Sequence, residues 1–133
     1  MIISHHFSLF ILRQIATAPL GIQFEGVNDL MLSMKFEECQ LNFSTFNKQN
    51  LRSTNFKNCN LQEVDFSETD LTKSIFDNCD LSGVTFEYTI LEEVDFRTSR
   101  NYIIDPETNR IRRAKFSIDG IGGLLSKYDI EIE

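Results

Sequence analysis

The amino-acid sequence predicts an all-β solenoid with a square coil. Every fifth residue from Phe36 to Phe96 is a Phe or a Leu, in strict alternation: Phe36, Leu41, Phe46, Leu51, Phe56, Leu61, Phe66, Leu71, Phe76, Leu81, Phe86, Leu91, Phe96. A period of five fits neither an α-helix, at about 3.6, nor a strand, at about 2. The backbone must therefore turn one corner per repeat, each corner sending one large apolar side chain inward. Positions 20 apart also echo one another, so four five-residue faces close one coil and equivalent residues stack on the next. Phe36, Phe56, Phe76, Phe96 and Phe116 form the first stack. Leu41, Leu61 and Leu81 form the second, with Ile121 in the same register. Phe46, Phe66 and Phe86 form the third, and Leu51, Leu71, Leu91 and Ile111 the fourth. Gly and Pro are scarce, at 6 and 2 of 133 residues, which argues against a disordered or loop-rich chain.

At the N-terminal end no repeat is visible before Ile22. Residues 1–21 are expected either to cap the open coil or to stand where further coils would be. Their apolar stretch Phe7–Leu12 is short, no Lys or Arg precedes it and Arg13 follows it, the reverse of a secretory signal. No run of 18 apolar residues occurs, so no membrane helix is expected, and a cytoplasmic location is. Phe24 lies 12 residues before Phe36, two repeats plus two residues, which places a bulge at Asn28-Asp29.

Within the repeats, the position two before each register residue is small. Cys39, Cys59 and Cys79 occupy it alongside Ser44, Thr54, Val64, Thr69, Ser74, Val84, Thr89 and Val94. Three cysteines 20 apart could be metal ligands or a redox set. The structural reading is three reduced, buried small residues. Stacked on successive coils, their Cβ atoms would lie about 4.8 Å apart on parallel vectors, too far and too parallel for a disulfide.

The unit thus reads small, polar, Phe or Leu, then two variable residues, as in Cys59-Asn60-Leu61, Val64-Asp65-Phe66, Thr69-Asp70-Leu71, Cys79-Asp80-Leu81 and Val94-Asp95-Phe96. On these residues, from Met34 to Phe96, the chain resembles the pentapeptide-repeat proteins. The resemblance implies a right-handed quadrilateral β-helix with the small and the Phe/Leu positions inside.

The stretch 97–110 breaks the pattern, with Asn101 and Pro106 in two register slots, yet Ile111, Phe116 and Ile121 return without a shift. Two faces are replaced with no net insertion. Asp105-Pro106-Glu107 reads as a turn, and Ile103 and Ile104 are expected to compete for the vacated core sites. The ending reads as one short helix over Gly120–Tyr128 and a strand over Asp129–Glu133, where Ile130 and Ile132 alternate with acids. The expected organisation is therefore residues 1–21 as a nonrepeating segment or cap and 22–121 as β-helix, irregular at 25–33 and 97–110. Residues 122–133 then form a cap or dimerisation segment. A solenoid end needs covering, either within the chain or by a second copy through Leu124, Leu125, Tyr128, Ile130 and Ile132. The ending resembles that of Qnr-type pentapeptide proteins, which dimerise there, and the resemblance implies a homodimer.

Enzyme chemistry finds little to stand on. His5 and His6 are the only histidines and lie outside the repeats, leaving a hydrolase-like triad no base. Gly120, Gly122 and Gly123 lack the strand and Lys of a phosphate loop. A filled β-helix offers no pocket in which to raise a carboxylate pKa. A noncatalytic protein without metal or cofactor is expected.

Charge is the more useful signal. The net charge is −7, so direct nucleic-acid binding is not expected. The third face carries Asp65, Glu68, Glu87, Asp105 and Glu107 against Lys48, with Glu63 extending the strip. Arg97, Arg100, Arg110, Arg112, Arg113 and Lys115 form a basic belt near the C-terminal end. The Qnr-type resemblance implies an acidic rod that binds DNA gyrase or topoisomerase IV, in part by imitating DNA. Five coils at about 4.8 Å make a rod of roughly 24 Å, over which duplex DNA carries about 14 charges. The chain has about half that density, so the imitation is partial. The alternative is a structural or scaffolding repeat protein with an unrelated protein partner, and a partner set recovered from native cytoplasm would separate the two.

Overall fold

The computed structural model describes residues 2–4, 10–13, 23–25 and 34–133. The expected bulge at Asn28-Asp29 and the pair His5 and His6 lie outside the described residues. Six short strands carry the parallel ladder: β1 (Ile2–Ser4), β2 (Phe10–Arg13), β3 (Gln23–Glu25), β4 (Met34–Glu37), β5 (Asn55–Lys57) and β6 (Ile75–Asp77). Strands β2, β4, β5 and β6 form one sheet in that order, and β1 pairs with β3. From β4 onward the register is one coil of 20 residues, Phe36 facing Phe56 and Phe56 facing Phe76. Upstream the backbone also pairs in parallel, Leu12 with Phe36 and Ile3 with Phe24. Strand pairing therefore reaches into the segment where no repeat is legible.

The other faces are single-residue bridges in the same register, such as Gln40 to Asn60 to Asp80 to Arg100. The register N–H groups up to Leu81 donate up to the next coil: Leu41 to the Asn60 carbonyl at 2.9 Å, Phe46 to Asp65 at 2.8 Å, Leu51 to Asp70 at 2.8 Å. The residue two after each register position has positive φ, from Glu38 (52°) and Phe43 (64°) to Glu93 (60°). Each such corner costs of order 1–2 kcal/mol for an L-residue. Its own N–H offsets this by donating to the coil above, as Glu38 does to Lys57 and Phe43 to Gln62, both at 2.9 Å. Among these corners only Gly83 (φ 70°) is a glycine.

Two further rules of the repeat have a visible cause. The small inward residue caps a carbonyl of the coil below. Thr69 Oγ1 donates to the Phe46 carbonyl at 2.7 Å, Ser74 Oγ to Leu51 at 2.8 Å and Thr89 Oγ1 to Phe66 at 2.9 Å. The Asp or Asn before the register residue accepts the N–H two residues on, as in Ser67 to Asp65 (2.8 Å), Thr72 to Asp70 (3.0 Å) and Gln62 to Asn60 (3.0 Å). This is the Asx turn that bends the chain toward its corner.

The core is the register itself. Phe36, Phe46, Phe56, Phe66, Phe76 and Phe96 are fully buried, with the Leu columns between them. Rings stack flat within a column, Phe56 on Phe76 at 4.9 Å and 3°. They meet edge to face across the core, Phe46 against Phe56 at 6.1 Å and 81°. Both arrangements are the favoured ones for aromatic quadrupoles.

The last coil keeps its bridges on three faces, loses the one at Thr85, and changes its filling. Asp80 bridges Arg100, Ile90 bridges Arg110 and Asp95 bridges Lys115, and Phe116 stacks on Phe96 at 5.3 Å. The vacated core is taken by Ile104 and by Tyr102, whose ring lies 5.4 Å from Phe96. Ile103, expected to compete for that space, is 64 % exposed, because side chains alternate across the extended segment and only Tyr102 and Ile104 share the inner side. Asn109 fills the small slot, its Nδ2 donating to the Phe86 carbonyl at 2.9 Å.

The ending differs from expectation in three respects. Instead of one helix there are two 3-10 turns, Ile121–Leu124 and Ser126–Tyr128. Gly123 presses on Tyr102, where a Cβ would collide with the Tyr102 carbonyl, and the Ile104 N–H donates to the Gly123 carbonyl at 3.0 Å. That contact ties the turn down before a helix can develop. Ile121, expected to continue the Leu column, is 44 % exposed in the first turn. The expected strand Asp129–Glu133 is exposed and has no ladder partner among the described residues.

Candidate interaction surfaces

The acidic strip is built by the repeat. On the third face, the position before the register residue and the one after it point outward, and the corner residue completes the edge. Thr45, Asp65 and Thr85 bridge one another up this face, with Glu87 and the corner residue Glu68 beside them, both exposed. Glu63, on the preceding corner, is exposed and leans over Gly83, where any Cβ would meet its carboxylate. The structure thus brings Glu63, Asp65, Glu68 and Glu87 onto one side of the rod. Glu63 and Glu87 make no ion pair with the described residues, while Glu68 meets Lys48 at 3.8 Å with both side chains largely in solvent.

Asp105 and Glu107 belong to the strip by position but not by charge. Lys127 Nζ lies 3.1 Å from Asp105 Oδ1 and also pairs with Glu107, and the Tyr128 hydroxyl donates to Glu107 at 3.4 Å. The Glu107 N–H, with Lys127, holds the Asp105 carboxyl below the usual carboxylate range. The tail therefore offsets one of the two negative charges at the C-terminal end of the strip. Glu107 and Lys127 are 20 residues apart, so the coil register was the signal for this contact.

The basic belt is half matched in the same way. Arg97 makes two bonds to Asp95, at 2.9 and 3.1 Å. Arg110 pairs with Glu92 at 3.7 Å, and Glu93 lies between Lys73 (3.8 Å) and Arg113 (3.9 Å). At the corner between the first and second faces a shallow polar groove is lined by amides, including Asn58, Asn60 and Asn78, with Asp80 and Arg100. Burial opposes ionisation of Asp80. The Ser82, Gln62 and Asn101 side chains outweigh it and hold the carboxyl well below the usual range.

The residues read as a dimer interface divide in two. Leu124 and Leu125 are half-buried, Leu124 against the chain's own core. Tyr128, Ile130 and Ile132 are about half exposed, at 49, 56 and 56 %, and Ile118 and Ile121 are exposed as well. Among the described residues, no three His, Cys, Asp or Glu side chains converge on a point able to hold a metal ion. No helix there is long and apolar enough to cross a membrane.

A search of curated proteins gives no match. Among solved structures the chain is similar to the pentapeptide repeat protein Rfr23 from the cyanobacterium Cyanothece 51142, at TM-score 0.44 and 11 % identity over 90 % of this chain and 86 % of that one. HetL, a pentapeptide repeat protein involved in heterocyst differentiation regulation from the cyanobacterium Nostoc sp. strain PCC 7120, is similar at TM-score 0.46 and 13 % identity over 81 and 61 %. A trypsin-treated form of QnrB1, a plasmid-mediated fluoroquinolone resistance protein, is similar at TM-score 0.34 and 12 % identity over 98 and 99 %. The family described as the pentapeptide repeat region matches residues 22–96. From Met34 to Phe96 ladder, corner and core follow one five-residue rule, and the chain belongs to the pentapeptide-repeat family.

Proposed function

We propose that this protein is a noncatalytic, protein-binding solenoid of the cytoplasm whose acidic side meets a DNA-handling enzyme of the DNA gyrase or topoisomerase IV type by partial DNA mimicry. The observation that carries the reading is the run Glu63, Asp65, Glu68 and Glu87 on one side of a rod whose interior is filled. A rigid backbone that fixes carboxylates on two successive coils presents charge in a set spatial pattern, as a nucleic-acid backbone does, with little ordering cost on binding. The partner is a protein, since the net charge of −7 repels nucleic acid and anionic membrane alike.

The working unit is a homodimer joined at the C-terminal ends. Tyr128, Ile130 and Ile132, together with the unladdered segment Asp129–Glu133, leave an apolar, strand-like edge that a second copy would cover. Replacing Ile130 and Ile132 with Lys should give a monomer by light scattering with an unchanged coil spectrum. An unchanged dimer would remove this interface.

The test of the main reading is gyrase supercoiling with and without a quinolone. The proposal expects a change at micromolar protein, and no effect together with no captured topoisomerase would end it. The Lys127 contacts and the basic belt favour a second reading, a scaffolding repeat protein with an unrelated partner. Its partner would be indifferent to reversing Asp65, Glu68 and Glu87 to Lys.

A further inference from the structure

Cys39, Cys59 and Cys79 stand in one column, and all three are thiols. Their settings repeat. Cys59 Sγ donates to the Phe36 carbonyl at 3.3 Å and faces the Lys57 carbonyl at 3.4 Å. Cys79 Sγ does the same to Phe56 and Asp77, again at 3.3 and 3.4 Å. Cys39 Sγ lies 3.3 Å from the Glu37 carbonyl, the matching contact on its own coil. Equal contacts mean equal rotamers, so successive sulfurs are related by one coil step. The neighbouring Phe column measures that step at 5.0 Å from Phe36 to Phe56 and 4.9 Å from Phe56 to Phe76.

We propose that this column binds soft, two-coordinate monovalent cations of the Cu(I) and Ag(I) kind, one ion in each gap between successive thiols. A disulfide cannot form there without breaking the ladder, since it needs Cβ atoms about 3.8 Å apart. A bridging ion needs the opposite. Zinc–thiolate bonds are about 2.3 Å long, and two metal–sulfur bonds of about that length in line nearly span one coil step. Thiolate donors select soft ions over hard ones, and no third carboxylate, thiol or imidazole among the described residues converges to build a higher-coordinate site.

The exchange balances. Each ion that enters forms two metal–sulfur contacts and releases one thiol proton to solvent, so the buried charge does not change. Two ions displace two protons, the third thiol keeps its own, and Cys59 is shared by both ions. Binding must therefore displace protons, and affinity should rise with pH. Entry is at Cys59, which lines the polar groove and is 3 % exposed where its two neighbours are fully buried.

Serine is a faithful substitute in this slot. Ser74 and Ser99 occupy it already and donate to the Leu51 and Phe76 carbonyls at 2.8 and 2.6 Å. The test is a silver(I) titration of the whole chain, counted by native mass spectrometry above the C39S/C59S/C79S triple variant, with proton release followed in weak buffer. Wild type should take two ions and release two protons. C39S and C79S should each take one, and C59S none. S99C, which extends the column by one coil, should take three. Far-UV circular dichroism of the metal-free variants confirms that each is folded. A C59S variant that binds as many ions as wild type, or an S99C variant that gains none, overturns the proposal.

Discussion

The coils from Phe36 to Phe96 and the segment from Arg97 to Glu133 use one register to different ends. In the first region, a residue's place in its five-residue unit fixes whether it fills the core, caps a carbonyl, closes an Asx turn or takes the left-handed corner. In the second, the ladder continues through Arg100, Arg110 and Lys115, yet the filling comes from Tyr102 and Ile104 and the cap from glycine-bearing 3-10 turns. Pairing between coils is therefore more robust than filling within them. Backbone ladders need only the right number of residues per coil, whereas a core needs the right side chain at the right corner.

This contrast can be broken most severely in the regular region. Phe66→Ala removes a ring stacked between Phe46 and Phe86 and edge-on to Phe56 and Phe76. It should cost about 3–5 kcal/mol, read as a large fall in Tm, and a Tm near wild type would refute the inward register. Gly123→Ala should cost about 1–3 kcal/mol by driving a Cβ into the Tyr102 carbonyl. Hydrogen exchange should show the loss at the Ile104 N–H while the coils below stay protected. Uniform deprotection would mean that the two regions are not separable. Thr69→Val keeps the shape but leaves the Phe46 carbonyl with the Gln49 N–H alone, for about 0.5–1.5 kcal/mol in chemical denaturation.

The smallest effect concerns the tail. The folded pKa of Asp105 is depressed by the Glu107 N–H and by Lys127, so its stabilising contribution is present above the ordinary carboxylate pKa. It is lost as pH falls through the lower folded value. The small Tm difference between wild type and Asp105→Asn should therefore shrink on acidification, and a difference that grows would contradict the contact.

Much of this was legible from residues alone. Alternation of Phe and Leu located the core, and the 20-residue echo located the coil. The small slot holding Cys59 and Thr69 was legible as buried, but not as the donor to a carbonyl of the coil below. The acidic strip was legible as position and misleading as charge, because Asp105 and Glu107 are paired with Lys127 from the next turn of chain. The Glu107 pairing obeys the same spacing as Lys48 with Glu68 and Lys73 with Glu93. In a solenoid, residues one coil apart are neighbours much as residues four apart are in a helix. Tyr102 could not be foreseen, since it fills a register gap from one position away. The tail could not be foreseen either, since its shape depends on the close approach of Gly123 to that ring's own backbone.

The central claim is that Glu63, Asp65, Glu68 and Glu87 form the face that a type II topoisomerase recognises. The most direct measurement is equilibrium binding of the intact chain to purified gyrase and topoisomerase IV across a salt series, beside a variant with those four residues reversed to Lys and one with Arg112 and Lys115 reversed to Glu. The account predicts wild-type binding that weakens steeply with salt, loss of at least tenfold in the acidic-face variant, and near-wild-type binding in the belt variant. Equal binding by wild type and the acidic-face variant, or no binding by wild type at low salt, would contradict it.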